Sequence, residues 1–93
     1  MHTYFWCPSQ QRTYKLVQEE NHVYLYYVQV SATTHSFVHA RGRDVVTSMD
    51  IAQQVMGTLE AKPVKEQDYI NALKDYFAID KKVREQFIKA YNL

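Results

Sequence analysis

The chain has few of the residues that bend a backbone, cross-link it or hold a phosphate. Among 93 residues there are two glycines, two prolines and one cysteine. So little glycine and proline excludes collagen-like and low-complexity classes, and Gly42 and Gly57 lie too far apart to form a phosphate-binding loop or a dinucleotide fingerprint. A single cysteine cannot form an intramolecular disulfide, which favours a reduced thiol in a cytoplasmic protein.

The chain also lacks a strong net charge and a long apolar run. Its formal charge is +1, so overall charge directs it neither to nucleic acid nor to an anionic membrane. The longest unbroken apolar run, from Val23 to Val28, is far too short to span a bilayer or to form a signal-peptide core. Its 93 residues, 46% of them apolar, predict a single globular domain over residues 1–93, and we expect no membrane partner. The periodicities of its two halves assign this domain to the α+β class.

The first half of the chain alternates polar and apolar residues with a period of two, which is typical of half-buried β-strands. Segments 3–6, 12–18, 22–31 and 34–40 carry this pattern. They predict an N-terminal antiparallel β-meander of about four strands within residues 3–40. Gly42 follows, and we expect it to provide a positive φ in the turn that ends the meander.

In the second half the apolar period changes to that of a helix. One apolar stripe comprises Ile51, Val55, Met56 and Leu59, and a second comprises Tyr69, Ile70, Leu73 and Phe77. We predict two or three helices packed on the meander, at about 47–61, 65–79 and 80–91, the first of them beginning in a capping box at Thr47. A break near Asp80 is expected because an unbroken helix from 65 to 91 would be about 40 Å long, too long for a compact domain.

The strongest predicted strand, 22–31, is apolar on both of its faces. Val23, Leu25 and Tyr27 lie on one side, and Tyr24, Tyr26, Val28 and Val30 lie on the other. A sheet covered by helices on one face usually shows polar residues on the other. Either both faces of this sheet are covered within the chain, or one face meets a partner. We expect a two-layer arrangement, which leaves one face for a partner.

This uncovered face predicts a small non-catalytic binding or regulatory module, such as an inhibitor, adaptor or subunit, that acts by protein–protein contact. Large aromatic residues and arginines carry most of the binding energy of such interfaces. The candidate interface residues are Trp6, Arg12, Tyr24, Tyr26, Tyr27, Arg41 and Arg43. The partner is another protein or a second copy, and a symmetric homodimer through the uncovered face is the simplest version.

A single-stranded nucleic-acid-binding module is the alternative. Sheets that display aromatic residues stack bases on them, while arginine and lysine contact the phosphates. Here Tyr24 and Tyr26 would stack, and Lys15, Arg12 and Arg41 would bind phosphates. The aromatic motif typical of RNA-binding sheets is missing and the net charge is near zero, so this alternative takes second place.

Catalytic and metal-binding patterns are not found in the sequence. Cys7 lies at the end of a predicted strand, where a cysteine is usually a small hydrophobic residue. The remaining candidates are His2, His22, His35 and His39. On a strand, His35 and His39 would be about 13 Å apart, too far to bind one metal ion together. We therefore predict no enzymatic activity, no metal site and no cofactor.

Overall fold

In the computed structural model, which describes residues 2–32 and 37–91, five strands and two helices follow one another along the chain. They are β1 (His2–Cys7), β2 (Arg12–Gln18), β3 (Val23–Ala32), β4 (Phe37–Val46), α1 (Met49–Thr58), β5 (Lys62–Val64) and α2 (Glu66–Tyr91). The predicted α+β class and N-terminal antiparallel meander are confirmed. The fourth strand was expected over 34–40; residues 34–36 lie outside the described part, and the strand continues to Val46.

The strands form one antiparallel sheet in the order β4-β3-β2-β1-β5. The first four strands pair with one another in chain order, and β5 pairs with β1 at the far edge. The short strand β5 was not predicted, because three residues that include a proline show no periodicity. Pro63 lies opposite Phe5 in an edge strand, where a residue without an N–H donor is tolerated.

Gly42 lies within β4, opposite Tyr27, and the expected turn at this glycine is wrong. None of the described glycines has a positive φ. Position 42 instead requires glycine because the Tyr27 ring lies against it: an added Cβ would be 2.7 Å from Cε1 of Tyr27. The aromatic ring on β3 thus occupies the space that a side chain on β4 would need.

Substitution Gly42→Ala is expected to lower the free energy of unfolding by about 1–3 kcal/mol, because the Tyr27 ring would be displaced. That ring has little room to move, since the Cζ atom of Arg12 lies 4.0 Å from its centroid. Gly57→Ala is the matched control, because nothing lies within 4 Å of an added Cβ there. We expect this helical substitution to raise stability by about 0.5–1 kcal/mol. Urea unfolding measures the stability of both variants. Equal stabilities of Gly42→Ala and Gly57→Ala would mean that the Tyr27 ring does not lie against position 42.

The two helices pack on opposite faces of the sheet, so the expected two-layer arrangement is wrong. Ala52 and Met56 of α1 pack on the face that carries Leu16 and Leu25, here called the α1 face. Tyr69 of α2 packs on the other, the α2 face. The reason is the route of the chain: α1 begins after β4 at one edge, β5 pairs at the opposite edge, and α2 then returns along the second face.

This arrangement explains why β3 is apolar on both sides. Val23 and Leu25 contribute to the buried cluster under α1, while Val28 is buried under α2. The assignment of residues of β3 to two faces is therefore confirmed. Its predicted consequence, an apolar face with no cover inside the chain, is not observed.

The helix ends and the outer part of α2 also differ from expectation. Ser48, not Thr47, is the N-cap of α1, and its Oγ accepts a hydrogen bond from the backbone N–H of Ile51 at 3.3 Å. α2 runs without a break through Asp80. The expected break assumed a compact molecule, but the Cα radius of gyration is 15.3 Å, against about 12 Å for a compact chain of this length.

Part of the predicted apolar stripe on α2 is exposed. Phe77, which was expected to face the core, is 51% exposed, whereas Tyr69 is buried and Leu73 is half-buried. The stripe therefore contacts the sheet mainly in the first half of α2. Neither helix in the described ranges has an apolar stretch long enough to cross a membrane.

Candidate binding surface

The α2 face of the sheet is only partly covered by α2. Beneath the helix, Tyr69 packs against Tyr4 and Val28. Two cross-strand rows on the same face lie towards the start of β1 and the end of β4. Following the pairing from β1 to β4, the first row is His2, Val17, Tyr24 and Val45, and the second is Tyr4, Lys15, Tyr26 and Arg43. Tyr24 and Tyr26 are half-buried, whereas Arg43 and Val45 are exposed.

An open groove of about 640 Å³ lies between these rows and α2. We call it the basic groove and define it by six of its lining residues: Lys15, Val17, Tyr26, Arg41, Arg43 and Tyr69. Three of the six are cationic, and no carboxylate is found among the described residues that line it. The local charge is therefore strongly positive although the net charge of the chain is only +1. A groove with this charge attracts anionic groups.

The cations of the groove are held against aromatic rings. The Cζ atom of Arg43 lies 4.8 Å from the ring centroid of Tyr24. The Nζ atom of Lys15 lies 6.0 Å from the centroid of Tyr69, and Arg41 Cζ lies 5.4 Å from that of Phe77. Cation–π contacts orient these side chains without neutralising their charge, so the groove presents partly ordered positive groups.

Of the predicted interface residues, Tyr26, Arg41 and Arg43 line the groove, and Tyr24 lies beside it under the Arg43 side chain. Tyr24 and Tyr26 are neighbours on β3, with ring centroids 6.2 Å apart. Arg43 lies directly opposite Tyr26. Lys15, which was proposed only for phosphate binding, completes the same row.

Arg12 and Tyr27, also predicted for the interface, lie on the α1 face and away from the groove. Arg12 Nε donates to Gln29 Oε1 at 3.1 Å and Nη1 donates to the Tyr14 hydroxyl at 3.2 Å. The Tyr14 hydroxyl in turn donates to Gln10 Oε1 at 2.6 Å. These contacts give Arg12 partners within the chain and a role in holding the sheet face together.

Trp6 lies on the α2 face, but at the end of that face away from the groove. It is 36% exposed and lines a smaller cleft of about 270 Å³ together with Asp68 and Asp75. The helix α2 separates this acidic cleft from the basic groove. The structure therefore does not place Trp6 beside the tyrosines of the groove.

Five residues that line the groove were missed as site residues: His2, Val17, Gly42, Tyr69 and Leu73. Tyr69 and Leu73 were assigned to the core because they lie on the apolar stripe of a helix. Val17 shares a strand face with Lys15, which was visible in the alternation of β2. No periodicity, however, indicates which part of a sheet face a helix leaves open.

Cys7 has a structural environment. It is fully buried on the α1 face, with Sγ 3.4 Å from Ser9 Oγ and 3.5 Å from the carbonyl oxygen of Leu59. These contacts agree with its interpretation as a small hydrophobic residue. In the described ranges, His, Cys, Asp and Glu side chains form no group of three that could hold a metal ion. His35 lies outside those ranges.

Two buried tyrosines on the α2 face make stability depend on pH. Burial raises the pKa of Tyr69, which the positive charge of Arg41 partly offsets. Burial also raises the pKa of Tyr4, and the Glu66 carboxylate adds to that increase. In the unfolded chain a tyrosine loses its proton near pH 10, whereas the folded chain retains it.

We therefore expect the free energy of unfolding to fall as the pH rises above about 10, because the unfolded state releases its tyrosine protons first. Tyr69→Phe removes one of the two groups and is expected to reduce this loss relative to the native chain. Urea unfolding at several alkaline pH values measures the difference. Identical pH profiles for the two proteins would contradict the burial of the Tyr69 hydroxyl.

Comparison with known proteins provides no family for this fold and site. The chain matches no protein-family model, no curated protein sequence and no solved structure.

Proposed function

We propose that the chain is a non-catalytic binding module that holds an acidic segment of a partner protein in the basic groove. The observation that carries this proposal is the charge of the groove: Lys15, Arg41 and Arg43 line it, and the described lining includes no carboxylate. Tyr26 provides rigid contact area on its floor. Aromatic residues and arginines are the residue types that most often dominate binding energy at protein interfaces.

A different protein fits this surface better than a second copy of the chain. A symmetric dimer formed groove to groove would bring two sets of the same cations close together. Like charges that face each other across an interface oppose association. The partner we propose therefore carries acidic residues, and the symmetric homodimer through this face is not part of the proposal.

Nucleic acid fits less well, for two reasons visible on the same face. Stacking of successive bases requires several free aromatic faces, but Arg43 lies over Tyr24 and Tyr69 is buried, which leaves Tyr26 of the three tyrosines. A strand that continued past α2 would also meet the carboxylates of Asp68 and Asp75 in the acidic cleft. These features favour an acidic protein segment over single-stranded nucleic acid.

A non-catalytic role is supported by the side chains that line the groove. Acid–base and nucleophilic catalysis need a reactive group held by a second titratable group. The one cysteine, Cys7, is buried on the opposite face. His2 lines the groove beside cations and tyrosines, a set that suits binding of an anion better than proton transfer.

The proposal is tested by selecting random twelve-residue peptides, displayed on phage, against the purified protein. We expect the enriched peptides to be acidic, and their synthetic versions to bind Arg43→Gln at least about tenfold more weakly than the native chain. A charge-assisted hydrogen bond contributes about 1.5–3 kcal/mol, and about 1.4 kcal/mol corresponds to tenfold in affinity. Arg12→Gln is the matched control. It also removes an arginine stacked on a tyrosine ring, but this arginine lies on the opposite face of the sheet. We expect the affinity of this variant for the peptides to be unchanged.

Two results would overturn this proposal. The first is the enrichment of neutral or basic peptides, or peptides that bind Arg43→Gln as tightly as the native chain. The second is binding of a twenty-nucleotide single-stranded DNA that competes with the peptides, with the logarithm of its binding constant falling linearly with the logarithm of the salt concentration. That second result would assign the groove to nucleic acid.

A further inference from the structure

The outer edge of β4 borders the basic groove and is available for pairing. β4 is the terminal strand of the sheet, and β3 pairs with one side of it over ten residues. In the described ranges no strand pairs with its other side. Such an edge presents backbone N–H and C=O groups to any extended chain that reaches it. Arg41 and Arg43 project from this same strand into the groove.

A second copy of β4 is a poor occupant of this edge. In a symmetric antiparallel pair, residues that lie opposite each other must share a sheet face. If the pair is centred on Gly42, then Arg41 faces Arg43; if it is centred on Arg43, two copies of that arginine face each other. A pair centred on Asp44 places two copies of that carboxylate opposite each other. Like charges directly opposite in a sheet are destabilising, so these three registers disfavour self-pairing, and the two arginines favour an acidic strand.

We propose that an acidic, extended segment of the partner adds to β4 as a further antiparallel strand. This inference rests on the proposed function. It places the backbone of the segment along the outer edge of β4, at the border of the groove, so that its acidic side chains reach the groove arginines from that edge. Addition to a sheet edge combines main-chain hydrogen bonds with recognition of alternate side chains. Two acidic residues separated by one position would then lie opposite Arg41 and Arg43, on the groove side of the sheet.

The opposite side of the added strand has a different requirement. Gly42 and Asp44 share the α1 face of β4, and the ring of Tyr27 already covers Gly42. A neutral residue fits opposite Gly42, and a neutral or basic residue fits opposite Asp44. The segment recognised therefore alternates acidic residues with non-acidic ones, which distinguishes it from a merely acidic peptide.

The test uses a labelled ten-residue peptide that alternates glutamate and threonine, and a control with the same residues in two blocks. We expect the alternating peptide to bind at least about tenfold more tightly than the block peptide in fluorescence anisotropy. In the complex, amide exchange at alternate positions of β4 is expected to slow by at least about tenfold, while exchange in α1 is unchanged. Arg41→Gln and Arg43→Gln should each weaken binding, and Arg12→Gln should not.

The possible failures can be told apart. Equal affinity for the alternating and block peptides, with unchanged exchange in β4 and lower affinity in Arg43→Gln, overturns strand addition but supports an acidic segment in the groove. Failure of both peptides to bind also overturns strand addition. In that case the selection of random peptides, which requires no particular conformation, decides the proposed function separately.

Discussion

Replacing Leu16 by alanine is expected to lower the free energy of unfolding by about 2–5 kcal/mol, the range for a large aliphatic side chain in a closely packed core. Leu16 is fully buried on the α1 face, in the cluster that joins β2 to Met56 of α1. Stability falls because the alanine side chain buries less apolar surface and leaves a cavity beneath α1.

The matched control for this prediction is the next residue of the same strand. Val17 points to the opposite face and lines the open groove, so Val17→Ala should cause a much smaller loss. Urea unfolding of both variants measures the difference. Because a shift of one residue in register exchanges the faces of a strand, a larger loss for Val17→Ala would contradict the pairing of β2.

Replacing Tyr69 by alanine is expected to cost about 3–5 kcal/mol, the range for a large buried aromatic side chain. Among the described side chains of α2, Tyr69 is the one that is buried, and its ring centroid lies 5.8 Å from that of Tyr4. The same substitution also removes one wall of the basic groove. We therefore expect weaker binding of acidic peptides under conditions in which the variant remains folded.

Phe77→Ala provides the control on the same helix. Phe77 is 51% exposed, and we expect its replacement to change stability by only about 0.5 kcal/mol, as is usual for surface positions. Thermal or urea unfolding measures both helix variants. Similar losses for Phe77→Ala and Tyr69→Ala would mean that α2 is rotated about its axis from the orientation described.

The parts of the fold that local geometry determines were predicted from the sequence. β2 has the predicted bounds, Arg12–Gln18, and the residues of β3 divide between the two faces as expected. Both follow from the alternation of side chains along a strand. The α+β class likewise follows from the change of period near residue 43.

The parts that depend on contacts between distant residues were not predicted. The short strand β5 is defined by its pairing with β1, and nothing in Lys62–Val64 itself indicates that pairing. The placement of α1 and α2 on opposite faces depends on where β5 joins the sheet. A helix can also extend beyond the sheet, as α2 does, without any local signal.

The candidate site was predicted in its residue types but not in its grouping. Tyr26, Arg41 and Arg43 were named because aromatic residues and arginines are common at interfaces. Arg12 was grouped with Lys15 although the two differ by three positions in one strand, and that odd spacing assigns them to opposite faces. The row of Lys15, Tyr26 and Arg43 requires the register of three strands, which the sequence alone does not provide.

The central claim is that acidic protein segments bind in the basic groove, between α2 and the open part of its sheet face. The most direct test is an NMR titration of the isotope-labelled protein with an acidic peptide from the selection. We predict that the largest chemical-shift changes map to Lys15, Tyr26 and Arg43, and that the amides of Ala52 and Met56 in α1 remain unchanged. Changes centred on α1, with none at Lys15 or Arg43, would contradict it.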